Sequence, residues 1–315
     1  MNGRLQIRIH GDTSLPTLVY LPGMHGDWTL VSSFRAAIAG RVRFVEFAYP
    51  RTVTWSLEDY AAGIEEALLA NGIERGWLLG ESFGSQPMWA LIARGQNGRL
   101  VNQPQRRPPV RRVEDPSAPI HAGTESGAPN AADVCSGRHF HAQGLILSGG
   151  FVRHPVNWAV RLAGQVSGAI PLRCVKLFCV AYASYAKFRH KHAPETLASI
   201  GEFVANRTQE SDRRAIVHRY AIIADNDLRS VARQFALPVY YLAGLVDPLV
   251  PWPFVRRWLR RNCPGYRGGK MIWRADHNVL GTAPKKSAEQ ILAWISETGL
   301  SRREIERSTG STQTG

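Results

Sequence analysis

One pentapeptide, Gly80-Glu81-Ser82-Phe83-Gly84, has the composition of a turn that presents a nucleophilic serine. It follows an apolar run, Trp77 to Leu79, that predicts a strand, and it precedes a helical pattern. A serine on a sharp strand-to-helix turn is exposed and strained, and flanking glycines avoid clashes with the neighbouring strand and helix. The alternative is an ordinary N-cap serine in a glycine-rich turn. We predict that Ser82 is the nucleophile, in an elbow formed with Gly80, Glu81 and Gly84.

A nucleophilic serine needs a base, and the base needs a carboxylate that orients it. The predicted strand ending at Leu242 leads into Asp247, and the predicted strand ending at Trp273 leads into His277. The chain has 10 histidines, but His277 alone follows a late strand after an acid that also follows a strand. We therefore predict that Asp247 is the acid and His277 the base.

Other residues are alternatives for these two roles. Asp276 is adjacent to His277, but neighbours in sequence point in different directions and rarely pair as acid and base. Asp225 and Asp227 lie in a helical stretch rather than after a strand. His25 is an alternative base, although its loop is better placed to bind an oxyanion.

An oxyanion is stabilised by two backbone N–H groups that face the developing negative oxygen. The residue after the nucleophile, Phe83, is expected to supply one of them. The loop after the early strand Thr17 to Leu21 is expected to supply the other, from the amide of Met24. The remainder of this predicted oxyanion loop consists of Gly23, His25 and Gly26.

Short apolar runs alternate with helical patterns along the first 95 residues, which is typical of an α/β fold. Strands are predicted at Thr17 to Leu21 and Arg43 to Ala48, followed by a helix over Leu57 to Ala70. Ser56 and Asp59 have capping-box spacing at the start of that helix. A second helix is predicted from about Phe83 to Arg94. The pattern predicts a mostly parallel central sheet flanked by helices, with an inserted helical lid.

The chain divides into six predicted segments. The second segment has six of the chain's 19 prolines and no periodicity, so we predict that it is disordered. The fourth is helical in character and rich in aromatic residues. In order, the segments are a core part over 1–95, a Pro/Arg-rich insertion over 96–137, a core strand over 138–150, a helical lid over 151–232, a second core part over 233–300 and a polar, frayed tail over 301–315.

The formal net charge of +14 is unusual. Its densest cluster lies on one face of a predicted helix and consists of Arg256, Arg257, Arg260 and Arg261. No nucleic-acid-binding motif accompanies the cluster, so we predict no nucleic-acid partner. A solvated basic surface is the prevailing interpretation, and it allows weak association with anionic surfaces. The oligomeric state does not follow from the sequence.

The four cysteines form no CxxC pair, and no histidine cluster has zinc-ligand spacing, so neither a metal nor another cofactor is predicted. No run approaches the roughly 18 to 20 apolar residues that cross a bilayer. The first ten residues alternate polar and apolar side chains, unlike a signal peptide. These features predict a soluble, cytoplasmic protein.

Taken together, these segments resemble the α/β-hydrolase superfamily, in particular its lid-bearing serine esterases. The resemblance implies a Ser82–His277–Asp247 triad, with Met24 and Phe83 as oxyanion donors and 151–232 in the place of a helical cap. The sequence departs from this family at Pro22, where many members have histidine, and in the insertion over 96–137.

The resemblance implies a serine hydrolase that cleaves a small, hydrophobic, ester-like substrate through an acyl-enzyme intermediate. Alternatives of the same fold are an acyltransferase, a thioesterase, a lactonase and a C–C hydrolase. A non-catalytic binding protein is an alternative of a different class.

Overall fold

The computed structural model describes residues 4–102, 138–171 and 209–310, with isolated positions between 173 and 202. Within these residues, seven strands form one sheet in the order β1-β3-β2-β4-β5-β6-β7, and every neighbouring pair except β1 and β3 is parallel. The strands are β1 (Gln6–His10), β2 (Thr17–Leu21), β3 (Arg43–Ala48), β4 (Arg75–Glu81), β5 (His141–Ser148), β6 (Val239–Gly244) and β7 (Tyr266–Ile272).

Helices connect most of the strands and cover both faces of the sheet. They are α1 (Ser32–Ile38), α2 (Leu57–Ala70), α3 (Ser85–Asn102), α4 (Asn157–Ala169), α5 (Glu210–Asp225), α6 (Arg229–Gln234), α7 (Trp252–Asn262), α8 (Val279–Thr282) and α9 (Pro284–Gly310). The predicted mostly parallel sheet with flanking helices is therefore confirmed.

The buried core forms one cluster on each face of the sheet, as alternating strand side chains require. In β2, Val19 and Leu21 belong to one cluster, and Leu18 and Tyr20 belong to the other. All four side chains are fully buried, because a parallel strand in the middle of such a sheet is covered on both faces. The carboxyl ends of β2, β4, β5, β6 and β7 consequently meet along one edge of a rigid sheet.

Helix α2 shows how the sequence sets an element boundary. The Ser56 hydroxyl accepts from the Asp59 amide at 3.2 Å, and the Asp59 carboxylate accepts from the Ser56 amide at 2.7 Å. This capping box satisfies two N–H groups that the first turn leaves without a helical partner. The predicted helix over Leu57 to Ala70 is confirmed, and its buried face includes Tyr60 and Ile64.

Two helices extend beyond their predicted ends. Helix α3 continues past Gly95 to Asn102, beyond the predicted end at Arg94, and so includes the first residues of the predicted insertion. Gly95 does not have the positive φ angle of a helix-terminating glycine, which explains why the helix continues there. Helix α9 continues through the predicted frayed tail to Gly310. Most of the predicted insertion, residues 103–137, lies outside the described residues.

Between β5 and β6, helices α4 and α5 pack against each other. A β-carbon built on Gly164 of α4 would lie 3.1 Å from Cβ of Tyr220 on α5, so the two backbones approach closely at this glycine. The Asn157 amide group donates to the Ala224 carbonyl at 2.9 Å. Much of the predicted lid, over residues 172–208, lies outside the described residues, and the role of a lid stays a prediction. Among the described helices, none has both the length and the apolar character that a bilayer crossing requires.

Candidate active site

Ser82 lies on a strained turn at the carboxyl end of β4. Its φ angle of +49° is in the left-handed region, which non-glycine residues seldom adopt. A β-carbon on Gly84 would lie 2.0 Å from the Leu21 carbonyl oxygen, and one on Gly80 would lie 2.8 Å from Cα of Ser85. Glycine is therefore required on both sides of Ser82, because the turn is wedged against β2 and the start of α3.

The structure brings Ser82, His277 and Asp247 into one chain of hydrogen bonds. The Ser82 Oγ to His277 Nε2 distance is 2.8 Å, and the His277 Nδ1 to Asp247 Oδ2 distance is also 2.8 Å. Because a carboxylate only accepts, the Nδ1 proton points to Asp247 and leaves Nε2 free to accept from the serine hydroxyl. This is the tautomer that a histidine needs in order to remove a serine proton.

The loop after β6 fixes the carboxylate of Asp247. Its Oδ1 atom accepts from the amides of Leu249 at 2.8 Å and Val250 at 2.9 Å, while Oδ2 faces His277. The side chain is fully buried, and that of His277 is 18% exposed. Each carboxylate oxygen thus has a defined partner, which holds the acid in one orientation beside the imidazole.

Charges around His277 favour its protonated form. Burial by itself would lower the pKa of this imidazole, but the hydrogen bond and charge of Asp247 raise it above its ordinary value. The negative charges of Glu81 and Asp276 act in the same direction. The surroundings of His277 therefore stabilise the imidazolium that forms when it accepts a proton from Ser82.

Glu81 lies beneath the turn and has a phenol as its partner. The hydroxyl of Tyr20 donates to the Glu81 carboxylate, and both side chains are buried. Burial, followed by the charge of Glu81, raises the pKa of Tyr20 well above its ordinary value, so the phenol stays protonated and remains a donor. This pair fixes a negative charge close to His277.

The loop after β2 passes directly beside Ser82. A β-carbon on Gly23 would lie 3.3 Å from Cβ of Ser82, and the Gly26 amide closes the loop by donating to the Gly23 carbonyl at 2.9 Å. Nε2 of His25 is 2.9 Å from the backbone oxygen of Asp27, so a structural hydrogen bond occupies the atom that a base would use. The use of the Met24 and Phe83 amides as oxyanion donors stays a prediction.

The remaining candidate acids lie elsewhere. Asp276 accepts from the Asn278 amide at 3.0 Å and the Thr282 hydroxyl at 3.2 Å, which fixes the turn that leads from His277 into α8. Asp225 is paired with Arg161 at 2.9 Å, and Asp227 is paired with Arg229 and Arg153 at the surface. None of these contacts involves His277.

Sequence reasoning missed the residues that hold the loop after β5 against the turn around Ser82. The Ser85 hydroxyl accepts from the Phe151 amide at 2.9 Å, and Gln86 donates to the carbonyls of Phe151 and Val152 at 3.1 Å. Gly149, with φ of +56°, leaves room for the His277 ring, because a β-carbon there would lie 3.3 Å from it. The only signals in the sequence were the two polar residues that open α3 and the Gly-Gly pair after a strand.

The arginines of the predicted cluster are exposed on α7, and within the described residues none of the four has an ion pair. Binding of an anionic surface to this face stays a prediction. A group of three or more His, Cys, Asp or Glu side chains able to hold a metal ion is absent from the described part of the chain.

No family model matches the sequence, and no curated protein matches it. Solved structures share its architecture at low identity. A hydrolase from Pseudomonas aeruginosa PA01 has a TM-score of 0.64 and 13% identity over 92% of this chain and 94% of the other. A thermophilic esterase from Thermogutta terrifontis has a TM-score of 0.61 and 16% identity over 93% of both chains.

An enol-lactonase from Burkholderia xenovorans LB400 is similar at a TM-score of 0.59 and 16% identity, over 93% of this chain and 95% of the other. Identities this low carry information about architecture rather than about activity. The chain therefore has the α/β-hydrolase fold, as its sequence motifs predict.

Proposed function

We propose that the protein is a serine hydrolase that cleaves ester-like bonds through an acyl-enzyme intermediate. The observation that carries this proposal is the hydrogen-bonded chain from a strained Ser82 through His277 to a buried Asp247. Three residues from three different loops, each at the carboxyl end of a strand, meet with both distances at 2.8 Å. A serine held only for structural reasons would not require this arrangement.

In the first step, Nε2 of His277 removes the proton from the Ser82 hydroxyl while Oγ attacks the carbonyl carbon. Asp247 stabilises the imidazolium, and the resulting oxyanion is bound by the Met24 and Phe83 amides. The imidazolium then gives its proton to the leaving alcohol. Water, activated in turn by His277, attacks the acyl-enzyme and releases the acid.

The substrate class is proposed at the level of the reacting bond. Solved structures of the same fold include esterases and lactonases, and both activities open an acyl–oxygen bond. A substrate panel for this protein should therefore contain p-nitrophenyl esters from acetate to palmitate together with lactones. Added alcohols and thiols test for acyl transfer, because an acyltransferase would partition the acyl group toward the acceptor rather than water.

The decisive experiment compares wild type with Ser82→Ala and Ser148→Ala. We expect kcat/KM on the best ester to fall about a thousandfold or more in Ser82→Ala, because the nucleophile is lost. Ser148 is a suitable control because it is buried at the carboxyl end of the neighbouring strand β5, and within the described residues its hydroxyl has no hydrogen-bond partner. Its replacement should leave turnover within about twofold.

Equal turnover by wild type and Ser82→Ala would overturn the assignment of the nucleophile. Absence of turnover by folded wild-type protein on every ester, lactone and acceptor would overturn the proposed hydrolase activity. The ester chain length with the highest kcat/KM would define the size of the acyl site.

A further inference from the structure

Arg219, in the middle of α5, is a buried cation that reaches from the segment between β5 and β6 to the loop beside Ser82. Its side chain is 1% exposed. Nη1 donates to the Met24 carbonyl at 2.7 Å, and Nη2 donates to the Pro50 carbonyl at 3.1 Å. A third, longer contact of 3.4 Å joins Nε to the Tyr60 hydroxyl. The guanidinium therefore binds two backbone segments that follow two different strands, β2 and β3.

The charge of Arg219 has only neutral partners. Within the described residues, no carboxylate oxygen lies within the 4.0 Å of an ion pair with its guanidinium. Aromatic faces provide the remaining contacts, with Cζ 5.5 Å from the ring centre of Tyr49 and 5.9 Å from that of Phe83. Burying a cation without an anion is costly, so a position of this kind requires an explanation beyond folding.

The loop is shaped to receive this guanidinium. Gly26 has a φ angle of +79°, and a β-carbon there would lie 2.5 Å from Nη1 of Arg219. Any other residue at this position would occupy the space of the guanidinium. The glycine in the loop and the arginine in the helix are therefore complementary, although 193 positions separate them in the sequence (219 minus 26).

We propose that Arg219 is a positioning residue for the oxyanion loop. Its hydrogen bond to the Met24 carbonyl fixes the peptide that follows Met24, and the hydrogen bond from the Gly26 amide to the Gly23 carbonyl fixes the peptide that precedes it. The Met24 N–H belongs to that preceding peptide, so the two bonds together hold its direction toward the reacting carbonyl. Its guanidinium also lies 5.9 Å from the ring centre of Phe83, the residue whose amide is the second predicted oxyanion donor. The inference rests on the proposed hydrolase function and adds that α5 is coupled to the oxyanion loop through one side chain.

This role predicts a loss of kcat rather than of substrate binding, because oxyanion donors act mainly in the transition state. Removal of a direct oxyanion donor costs about 10²- to 10³-fold in kcat, and an indirect effect should be smaller. For Arg219→Lys we expect kcat to fall about 10- to 100-fold, with KM within about threefold. The lysine keeps the buried charge but cannot bind both carbonyls as a planar fork. For Arg219→Met, which removes the charge as well, we expect a larger loss.

Arg51→Ala is the matched control. Arg51 follows Pro50 directly and joins the same helix, through an ion pair with Asp212 at 2.7 Å and a hydrogen bond to Gln209 at 2.8 Å. Neither contact involves the loop beside Ser82. Loosening the attachment of α5 without disturbing Met24 should leave kcat within about threefold.

Rates should be expressed per active site, titrated with a p-nitrophenyl phosphonate that modifies Ser82, so that unfolded protein does not contribute. Wild type and Ser82→Ala are included, so failure of the proposed function appears as absence of wild-type turnover. The inference alone is overturned if wild type is active and folded Arg219→Lys retains kcat within threefold. It is also overturned if Arg51→Ala loses as much kcat as Arg219→Lys. If Arg219→Met does not fold, the Arg219→Lys comparison decides.

Discussion

The turn around Ser82 and the helical segment between β5 and β6 are built in different ways. In the turn, backbone meets backbone, since a β-carbon on Gly84 would lie 2.0 Å from the Leu21 carbonyl oxygen. Between α4 and α5 the corresponding contacts are looser, because a β-carbon would lie 3.1 Å from Cβ of Tyr220 at Gly164 and 3.9 Å from the Val217 methyl groups at Gly168. A separation of 2.0 Å forces one of two buried backbone segments to move, whereas 3.9 Å is an ordinary van der Waals distance. We therefore expect the turn to determine whether the reaction occurs, and the helical segment to adjust its rate and its substrate.

The largest effect should come from the acid. Asp247→Asn removes the charge that stabilises the imidazolium and the acceptor that fixes the tautomer of His277, so kcat should fall by about 10³- to 10⁴-fold. Asp276→Asn is the matched control, because it changes the adjacent acid, which accepts from Asn278 and Thr282 instead. Its kcat should stay within about threefold of wild type. Steady-state kinetics on one ester measures kcat for both variants. Equal losses of kcat would contradict the assignment of Asp247 as the acid.

A pair of glycine substitutions tests the structural contrast directly. Gly84→Ala should destabilise the fold by about 3 kcal/mol or more, because the backbone of β2 cannot yield to the new methyl group. In Gly168→Ala, the alanine has a better helix propensity, and its methyl group would lie 3.9 Å from the Val217 methyl groups, which is an ordinary contact distance. Its free energy of unfolding should therefore stay within about 1 kcal/mol of wild type. Urea denaturation measures both, and similar losses would contradict the distinction between the two regions.

The same difference explains what the sequence predicted. The turn around Ser82 is encoded by adjacent residues, so a strand, two glycines and a helix start are readable without the fold. Asp247 and His277 are 30 positions apart, but each follows a predicted strand, and parallel strands bring their carboxyl ends to one edge. The position of Asp247 and His277 is thus predictable from the topology of the sheet, whereas the position of Ser82 is predictable from the local sequence.

Arg219 was not predictable in this way. It lies in the same helix as Arg213 and Arg214, and an arginine in a surface helix is ordinarily expected to face solvent, although Arg219 shares its face with Ala215 and Ile222. Its burial depends on space left by Gly26 and on carbonyls from two distant loops. The prediction of where α3 ends was wrong for a related reason. Gly95 suggested that the helix stops there, but the helical backbone continues to Asn102.

The pH dependence of the reaction should respond to the buried charge of Glu81, because that charge raises the pKa of His277. His277 must be neutral to act as a base, so kcat/KM should fall as the pH drops below its pKa, which lies above the ordinary value of 6.5. Glu81→Gln removes one of the charges that raise this pKa, and the acidic limb of the profile should move to lower pH. Glu46→Gln is the control, since that equally buried carboxylate is paired with Arg35 and His10. A limb that moves in both variants, or in neither, would contradict this electrostatic role of Glu81.

The smallest effect is expected at the surface of α4, where an apolar stripe is exposed. Trp158 is 70% exposed on the first turn of a helix that begins soon after Phe151 and Val152, which Gln86 holds beside the turn around Ser82. If this region contacts the acyl chain, Trp158→Ala should raise KM for long-chain esters by about tenfold or less and leave KM for acetate unchanged. kcat should change by less than about twofold, because a distant apolar contact is equal in the ground state and the transition state.

Leu237→Ala is the matched control for this test. Leu237 is also an exposed apolar residue, 41% exposed, but it precedes β6 and therefore lies at the amino ends of the strands, away from Ser82. Its replacement should leave the chain-length profile unchanged. A profile altered equally by both substitutions, or a loss of kcat in Trp158→Ala, would place the influence of this helix on the reaction itself. Such a result would remove the division between a turn that performs the chemistry and a helical segment that selects the substrate.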